Sequence, residues 1–533
     1  MARPVRKRLV FPSLGLIKST SYSQGPEFAS PYVNNFWPTQ WQSGRARGGT
    51  RLGTDSFGSL GTTPRNWSPV TWTASSVTYR GIVVAGSAGA YITTGSSFTG
   101  AISTAAADRM CTATVLNNVL YFARYGETTL YRTLTNPGSA GGTVLDATAS
   151  EGYAETPGSG TGGGTPPADC GLCCVHQGRL VLAGSKADEH VLYMSRAGYP
   201  LDWDYAQTDT GAAWATSGGQ SGKIGDPIVA LIPHTDECTI VGCTDSMYVV
   251  NGNPTANSSL YVLSQSIGPI SQGAWCKTAN GWTFILTRDG LYKMPPGCPG
   301  QHPEPVSRIN LPEELVAIDP NSASTFVSLA YDPRFIGIHI YVNTSGGDSH
   351  YFYDLVKEGF WPMSFGASMR MAATLPLAAD TTESAIIAFS SGGTAYQFTT
   401  DSTESIASYC TYGPILLASD GTTGRINEVI ASLAENSGTV SWKIYVGNSA
   451  TEAYTKLAAD DADFTGVDWE VQATWEKGVS GTLRPRQLQY AQNPLLSGQC
   501  CYLKIYSSGT AATRISVEEI EMTMVPCGPR RVM

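Results

Sequence analysis

The feature that most limits what this chain can fold into is a strand–turn–strand unit that recurs between about residue 70 and residue 400. Short runs rich in Val, Ile, Thr, Tyr and Phe are bounded by Gly, Asn, Asp or Ser, the pattern of antiparallel strands joined by hairpins. Seven stretches fit it: Tyr79–Ile92, Ala113–Tyr131, Cys173–Ser195, Ile228–Val250, Ala274–Lys293, Val327–Tyr353 and Ala385–Phe398. Each holds three or four strands, and their spacing brackets the roughly 40–50 residues of a propeller blade. Neighbouring blades bury each other's faces, so such a repeat is obliged to continue around a ring. The expectation is an all-β chain carrying an irregular six- or seven-bladed β-propeller over residues 70–404. Two packed β-sandwiches would give similar strand punctuation and are the competing architecture.

With 533 residues, the chain exceeds an ordinary single domain. Hydrophobic residues make up 42% and charged residues 14%, a balance that argues against disorder. The 58 glycines and 31 prolines imply many tight turns. A formal charge of −9 gives no global electrostatic reason to bind nucleic acid or an anionic membrane. No apolar run approaches the roughly 20 residues that span a bilayer, and Met1–Lys18 lacks the apolar core of a secretory leader, so the chain reads as soluble and unsecreted. The twelve cysteines are scattered and read as reduced, buried small hydrophobes. Cys170, Cys173 and Cys174 form the tightest group, but no second Cys/His pair answers it at ligand spacing, so no metal is expected.

The ends of the chain differ from its middle. Residues 1–69 are rich in Pro, Gly, Ser and Arg, with Phe36, Trp37 and Trp41 among them, and read as an extended arm. Such an arm gains order only by lying on another surface, of its own chain or of a neighbour. From residue 405 to 533 longer alternating strands appear, among them Val440–Val446, in which Trp442, Ile444 and Val446 oppose Ser441, Lys443 and Tyr445. That alternation predicts a β-sandwich with one buried and one solvated face per sheet. Helical periodicity is confined to Leu311–Ile318, and Asn136–Pro167 reads as a long inter-strand insertion.

Motifs that carry chemistry are absent from the sequence. It holds no Walker A loop, dinucleotide fingerprint, His-Glu-x-x-His or EF-hand loop, and no Gly-x-Ser-x-Gly elbow leading into a helix. Candidate acids for a glycosidase pair are Asp202, Asp204, Asp226, Asp236, Asp245 and Asp289, most of them in turns where a carboxylate accepts local backbone N–H bonds. The six histidines show no ligand spacing, and His339 sits in an apolar strand where packing is the expected role. Trp203 could stack on a sugar or close a blade edge. No catalytic residue and no cofactor is expected.

The succession Gly178–Gly184, Leu192–Trp203, Ile224–Ile228, Ser266–Ile270 and Thr287–Tyr292, preceded by Asn34-Asn35 and Gly44–Thr50, resembles the tail nozzle, or tail tubular protein B type, of short-tailed bacteriophages over roughly residues 34–295. The resemblance implies a structural virion protein, made in the host cytoplasm, that forms a cyclic homo-oligomer, commonly of six copies. The ring sits below the portal and adaptor, near the tail fibres, and its channel carries the genome out. An acidic wall in that channel would let the duplex slide, where a basic one would hold it by counterion release. Arg45, Arg47, Arg51, Arg484 and Arg486 are the candidate subunit or adaptor contacts. A glycan-binding or glycan-cleaving propeller at a cell surface is the second reading, and an intracellular scaffold the third.

Overall fold

The computed structural model describes all residues except 1–2, 19–25, 27, 40–46, 75, 94–97, 104–109, 128–129, 134–143, 147–162, 217–223, 257–258, 298–301, 307–309, 317, 320–321, 323, 377–383, 401, 419–421, 435–436, 467, 470–474, 477–483, 486–488, 493, 508, 510–513 and 530–533. Among the described residues, seven four-stranded antiparallel sheets follow one another, and each of the seven repeat stretches falls in a separate one. Their first strands are Pro64–Ala74, Cys111–Leu116, Cys170–His176, Ile228–Thr235, Trp275–Lys277, Phe326–Asp332 and Met369–Pro376, defining sheets 1 to 7. Tight turns set the hairpins: Asn117 and Asn118 both take positive φ (53° and 61°) between the first two strands of sheet 2, as a type I′ turn requires. The first sheet begins at Pro64, inside the segment read as arm.

Every sheet exposes its first strand as an inner edge, whose unpaired backbone groups need partners. Side chains and backbone groups at the adjoining sheet supply them. Ser68 of sheet 1 accepts from the Ala113 N–H of sheet 2 (3.0 Å), and Thr112 of sheet 2 accepts from the Cys173 N–H of sheet 3 (2.5 Å). Gln272, just before sheet 5, accepts from the Leu231 N–H of sheet 4 (2.8 Å), and the Leu329 N–H of sheet 6 donates to the Gly273 carbonyl (2.9 Å). Ser328 of sheet 6 donates to the Ala372 carbonyl of sheet 7 (2.8 Å). Sheet 7 in turn packs on sheet 1, with Met371, Ile387 and Phe389 against Ile82 and Val84.

Two histidines clamp successive sheets in the same way. His176 of sheet 3 meets Thr239 Oγ1 through Nδ1 (2.9 Å) and the Gly252 carbonyl through Nε2 (3.0 Å), and His234 of sheet 4 repeats this with Thr283 (2.9 Å) and Gly297 (2.9 Å). A carbonyl only accepts, so Nε2 carries the proton and Nδ1 accepts from the threonine. Burial, the largest influence, lowers the pKa of both rings. The unfolded chain therefore takes up protons below about pH 6.5 where the folded chain does not. Stability should be level above that pH and fall beneath it, by about 1.4 kcal/mol per pH unit per histidine until the folded-state pKa is passed. Urea unfolding across this range should show that slope, and a His176→Gln/His234→Gln double variant that keeps the slope unchanged would refute the account.

The arm is ordered on its own chain. Val5–Leu9 and Val33–Asn34 are edge strands of two five-stranded sheets that otherwise come from residues 408–529. Gly53–Ser59 then forms the fourth strand of sheet 7, paired with Thr394–Thr399. One apolar cluster runs from Leu286, Ile340 and Phe398 through Trp37 and Leu52 to Ile426, Trp442 and Leu503, so the arm is the common filling of both regions.

Four further expectations are corrected. An α-helix, Ala450–Ala459, stands where only strands were expected; Ser449 accepts from the Glu452 N–H (3.1 Å) and Glu452 reaches back to the Asn448 N–H (2.9 Å), a capping arrangement. Its Ala453 and Leu457 cover Tyr445 and Tyr502, so the face expected to be solvated is buried there. At Leu311–Ile318 only a 3₁₀ turn, Glu313–Leu315, forms, because each of its flanking residues, Pro312 and Val316, is extended. Among the described residues ten cysteines are free thiols, nine of them buried, but Cys238 is disulfide-bonded, a pairing that linear spacing does not encode. Of the expected insertion Asn136–Pro167, Val144–Asp146 is the fourth strand of sheet 2, and residues 136–143 and 147–162 lie outside the described residues.

Candidate functional site

The inner strands converge on a cavity of about 440 Å³. Trp67, Thr112, Cys173, Leu231, Trp275, Tyr331 and Thr374 line it, one from the first strand of each of the seven sheets. That volume suits a small molecule and excludes a nucleic-acid duplex. Among the described residues its charged lining groups are Arg80 and Lys277, whose Nζ donates to the His234 carbonyl (2.7 Å), with no Asp or Glu. Cys173 also lines the wall, but burial, despite bonds from Thr112 and the backbone that oppose it, pushes its thiol up to about 12. Cys174 and Cys276 are raised further by burial, so these sulfurs are protonated thiols at neutral pH and not nucleophiles.

The acids of the glycosidase reading sit outside the cavity lining. Asp202 accepts from the Asp204 N–H (3.1 Å) and Asp204 from the Ala206 N–H (2.9 Å), the local turn role expected of them, whereas Asp226 accepts from the distant Asp245 N–H (2.6 Å). Asp245 is ion-paired with Arg288 (2.8 Å). Trp203 is 1% exposed and packs with Leu180, Leu182 and Leu201, which removes it as a sugar platform. His339 is buried against Trp37, Phe352 and Phe398, 3.7 Å from Asp332, and burial lowers its pKa. Among the described residues no group of three or more His, Cys, Asp or Glu could hold a metal ion.

The candidate contact arginines are separated by the fold. Arg51 is 1% exposed and its donors are used within the chain: Nε to Asn35 Oδ1 (2.9 Å), Nη1 to the Leu52 carbonyl (2.7 Å), Nη2 to the Ser364 carbonyl (3.0 Å), and both Nη groups to Glu404 (2.8 and 3.2 Å). Its guanidinium also lies over Phe365, 4.5 Å from the ring centre. Asn35 completes the knot, accepting from the Ser364 N–H and donating to the Ala407 carbonyl (2.7 Å). Burial pushes the Glu404 carboxyl up, but Arg51 and Thr54 outweigh it and hold it below its usual value. Arg51 therefore locks the arm to sheet 6 and to the start of the C-terminal region of its own chain. Arg47 pairs with Glu518 of the C-terminal sheet. Arg484 lies in the short strand Arg484–Pro485, paired with Trp475–Glu476, and Arg45 and Arg486 lie outside the described residues. Asn35, Glu404 and Ser364, which complete the knot, carried no motif; the only signal was the Asn34-Asn35 pair.

No family model and no curated protein matches the chain. Among solved structures, the β-propeller domain of Cps50 (Swd1) from Myceliophteria thermophila is 10% identical, with a TM-score of 0.40 over 66% of this chain and 100% of that one. The N-terminal domain of Nup159 is 8% identical, with a TM-score of 0.36 over 65% of this chain and 95% of that one. The extracellular domain of a putative one-component system from B. thetaiotaomicron is 12% identical, with a TM-score of 0.38 over 73% of this chain and 45% of that one. At these low scores the likenesses carry no argument about this chain.

Proposed function

We propose that this chain is a structural subunit: a seven-bladed propeller fused by its own arm to a β-sandwich, working as one rigid wall segment of a cyclic homo-oligomer of the tail-nozzle kind. The observation that carries the reading is the arm, whose strands complete sheet 7 and both C-terminal sheets and whose Arg51 joins the two regions. Such stitching suits a part that transmits load without changing shape. Support for seven blades comes from the packing of sheet on sheet, the seventh against the first, around a cavity lined by all seven first strands. Because that cavity is too small for a duplex, genome passage belongs between copies, in a ring closed by head-to-tail contacts. The partners of such a subunit are further copies of the chain, an adaptor or portal, and tail fibres.

Imaging of purified particles tests this. The expected result is the chain at several copies, six in the tail-nozzle case, in a ring on the tail axis. Absence from particles, together with binding or cleavage on an oligosaccharide array, would overturn it in favour of the glycan reading.

A further inference from the structure

Two arginines share one aromatic ring where sheets 7, 1 and 6 meet. The Arg370 guanidinium lies 3.3 Å from the centre of the Phe326 ring and that of Arg65 5.4 Å from it. Arg65 and Phe326 belong to the first strands of sheets 1 and 6, and Arg370 to that of sheet 7. Neither guanidinium makes an ion pair or a hydrogen bond with a described residue, and the Nε of each is buried without a partner. The acid acting on Arg370 is Asp348, whose Oδ2 is taken by the Ser368 hydroxyl (2.5 Å). Burial first, then the neighbouring Arg65 charge, lower the Arg370 pKa to about 10.

Among the described residues no carboxylate bonds either guanidinium, and two like charges held together destabilise the site in the free chain. Stacking on a ring face leaves the in-plane N–H fork of a guanidinium open at its edge, the geometry that grips an oxyanion with paired bonds. Elsewhere in this chain arginines are answered: Arg51 by Glu404, Arg196 by Asp209, Arg288 by Asp245. We propose that Arg65 and Arg370, stacked on Phe326, form a binding site for a dianionic phosphate group. The charge of the ligand follows from two cations that no described carboxylate bonds, and the site stands independently of the assembly reading.

Calorimetric titration of the full chain with inorganic phosphate at low ionic strength tests it, with acetate and chloride at matched ionic strength as comparators. Phosphate should bind saturably, and Arg65→Gln or Arg370→Gln should weaken it at least tenfold, while the remote Arg425→Gln should not. Without phosphate, each Gln variant should melt no lower than the parent, since it relieves repulsion. A purely structural role predicts the opposite sign. Phosphate binding no better than chloride, or binding that survives both variants, would overturn the proposal, and equal binding of acetate would overturn the dianion assignment.

Discussion

A chain that starts at Gly61 should fail to reach a stable native state. Removing residues 1–60 takes Leu9, Leu16, Val33, Phe36, Trp37 and Leu52 out of the core. At about 1.5–3 kcal/mol for each buried side chain the loss is on the order of 10 kcal/mol, comparable with the whole 5–15 kcal/mol of a typical domain. The same cut leaves Thr394–Thr399 of sheet 7, and Ser408–Leu416 and Val517–Pro529 of the C-terminal sheets, as bare edges open to pairing with other chains. Circular dichroism melts and sedimentation should show a non-cooperative transition and aggregates. A truncated chain that stays monomeric and melts within a few degrees of the parent would show that the arm is an accessory and not a structural member.

Arg51→Ala should cost about 3–5 kcal/mol, the usual result of removing one partner of a buried ion pair. The guanidinium is 1% exposed, and its loss strands the Glu404 carboxylate and the Ser364 and Leu52 carbonyls. Arg51→Lys should recover only part of this, since an ammonium cannot bond Glu404 through two nitrogens while also holding Asn35. The effect has a pH signature. Glu404 has a depressed folded-state pKa, so its contribution is present above the unfolded carboxylate value of about 4.3 and is lost as pH falls through the folded one. Urea unfolding of parent, Arg51→Ala, Glu404→Gln and the double variant gives the coupling directly. A coupling below about 0.5 kcal/mol would place this pair with ordinary surface ion pairs.

What could be read before the structure was what local patterns encode. Period-two alternation and Asn-, Gly- or Asp-bearing turns located all seven repeat stretches, because hairpins are written in contiguous residues. The helix Ala450–Ala459 is masked in the sequence by the strands on both sides of it, although Ser449 and Glu452 stand at capping-box spacing. The arm's destinations were not legible at all: nothing near Gly53–Ser59 states that its partner is Thr394–Thr399. Arg51 was visible as an arginine, but its role depends on Glu404, far away in the sequence. Arg65 and Arg370 carry no local signal either, for only the packing of sheets 1, 6 and 7 brings them to one ring.

The strand Gly53–Ser59 also sets an order of events in the cell. It leaves the ribosome early, yet the Asp55 carboxylate that accepts from the Thr399 hydroxyl must wait for a residue 344 positions later. Until then the nascent chain carries Gly53–Ser59 as an unpaired strand, and translation must pass residue 399 before the seventh sheet can be completed. Pairings of such long separation are slow and expose sticky intermediates. Synthesis that stalls after the sixth sheet would thus yield a product open to chaperones and proteases, because Gly53–Ser59 still lacks its partner strand.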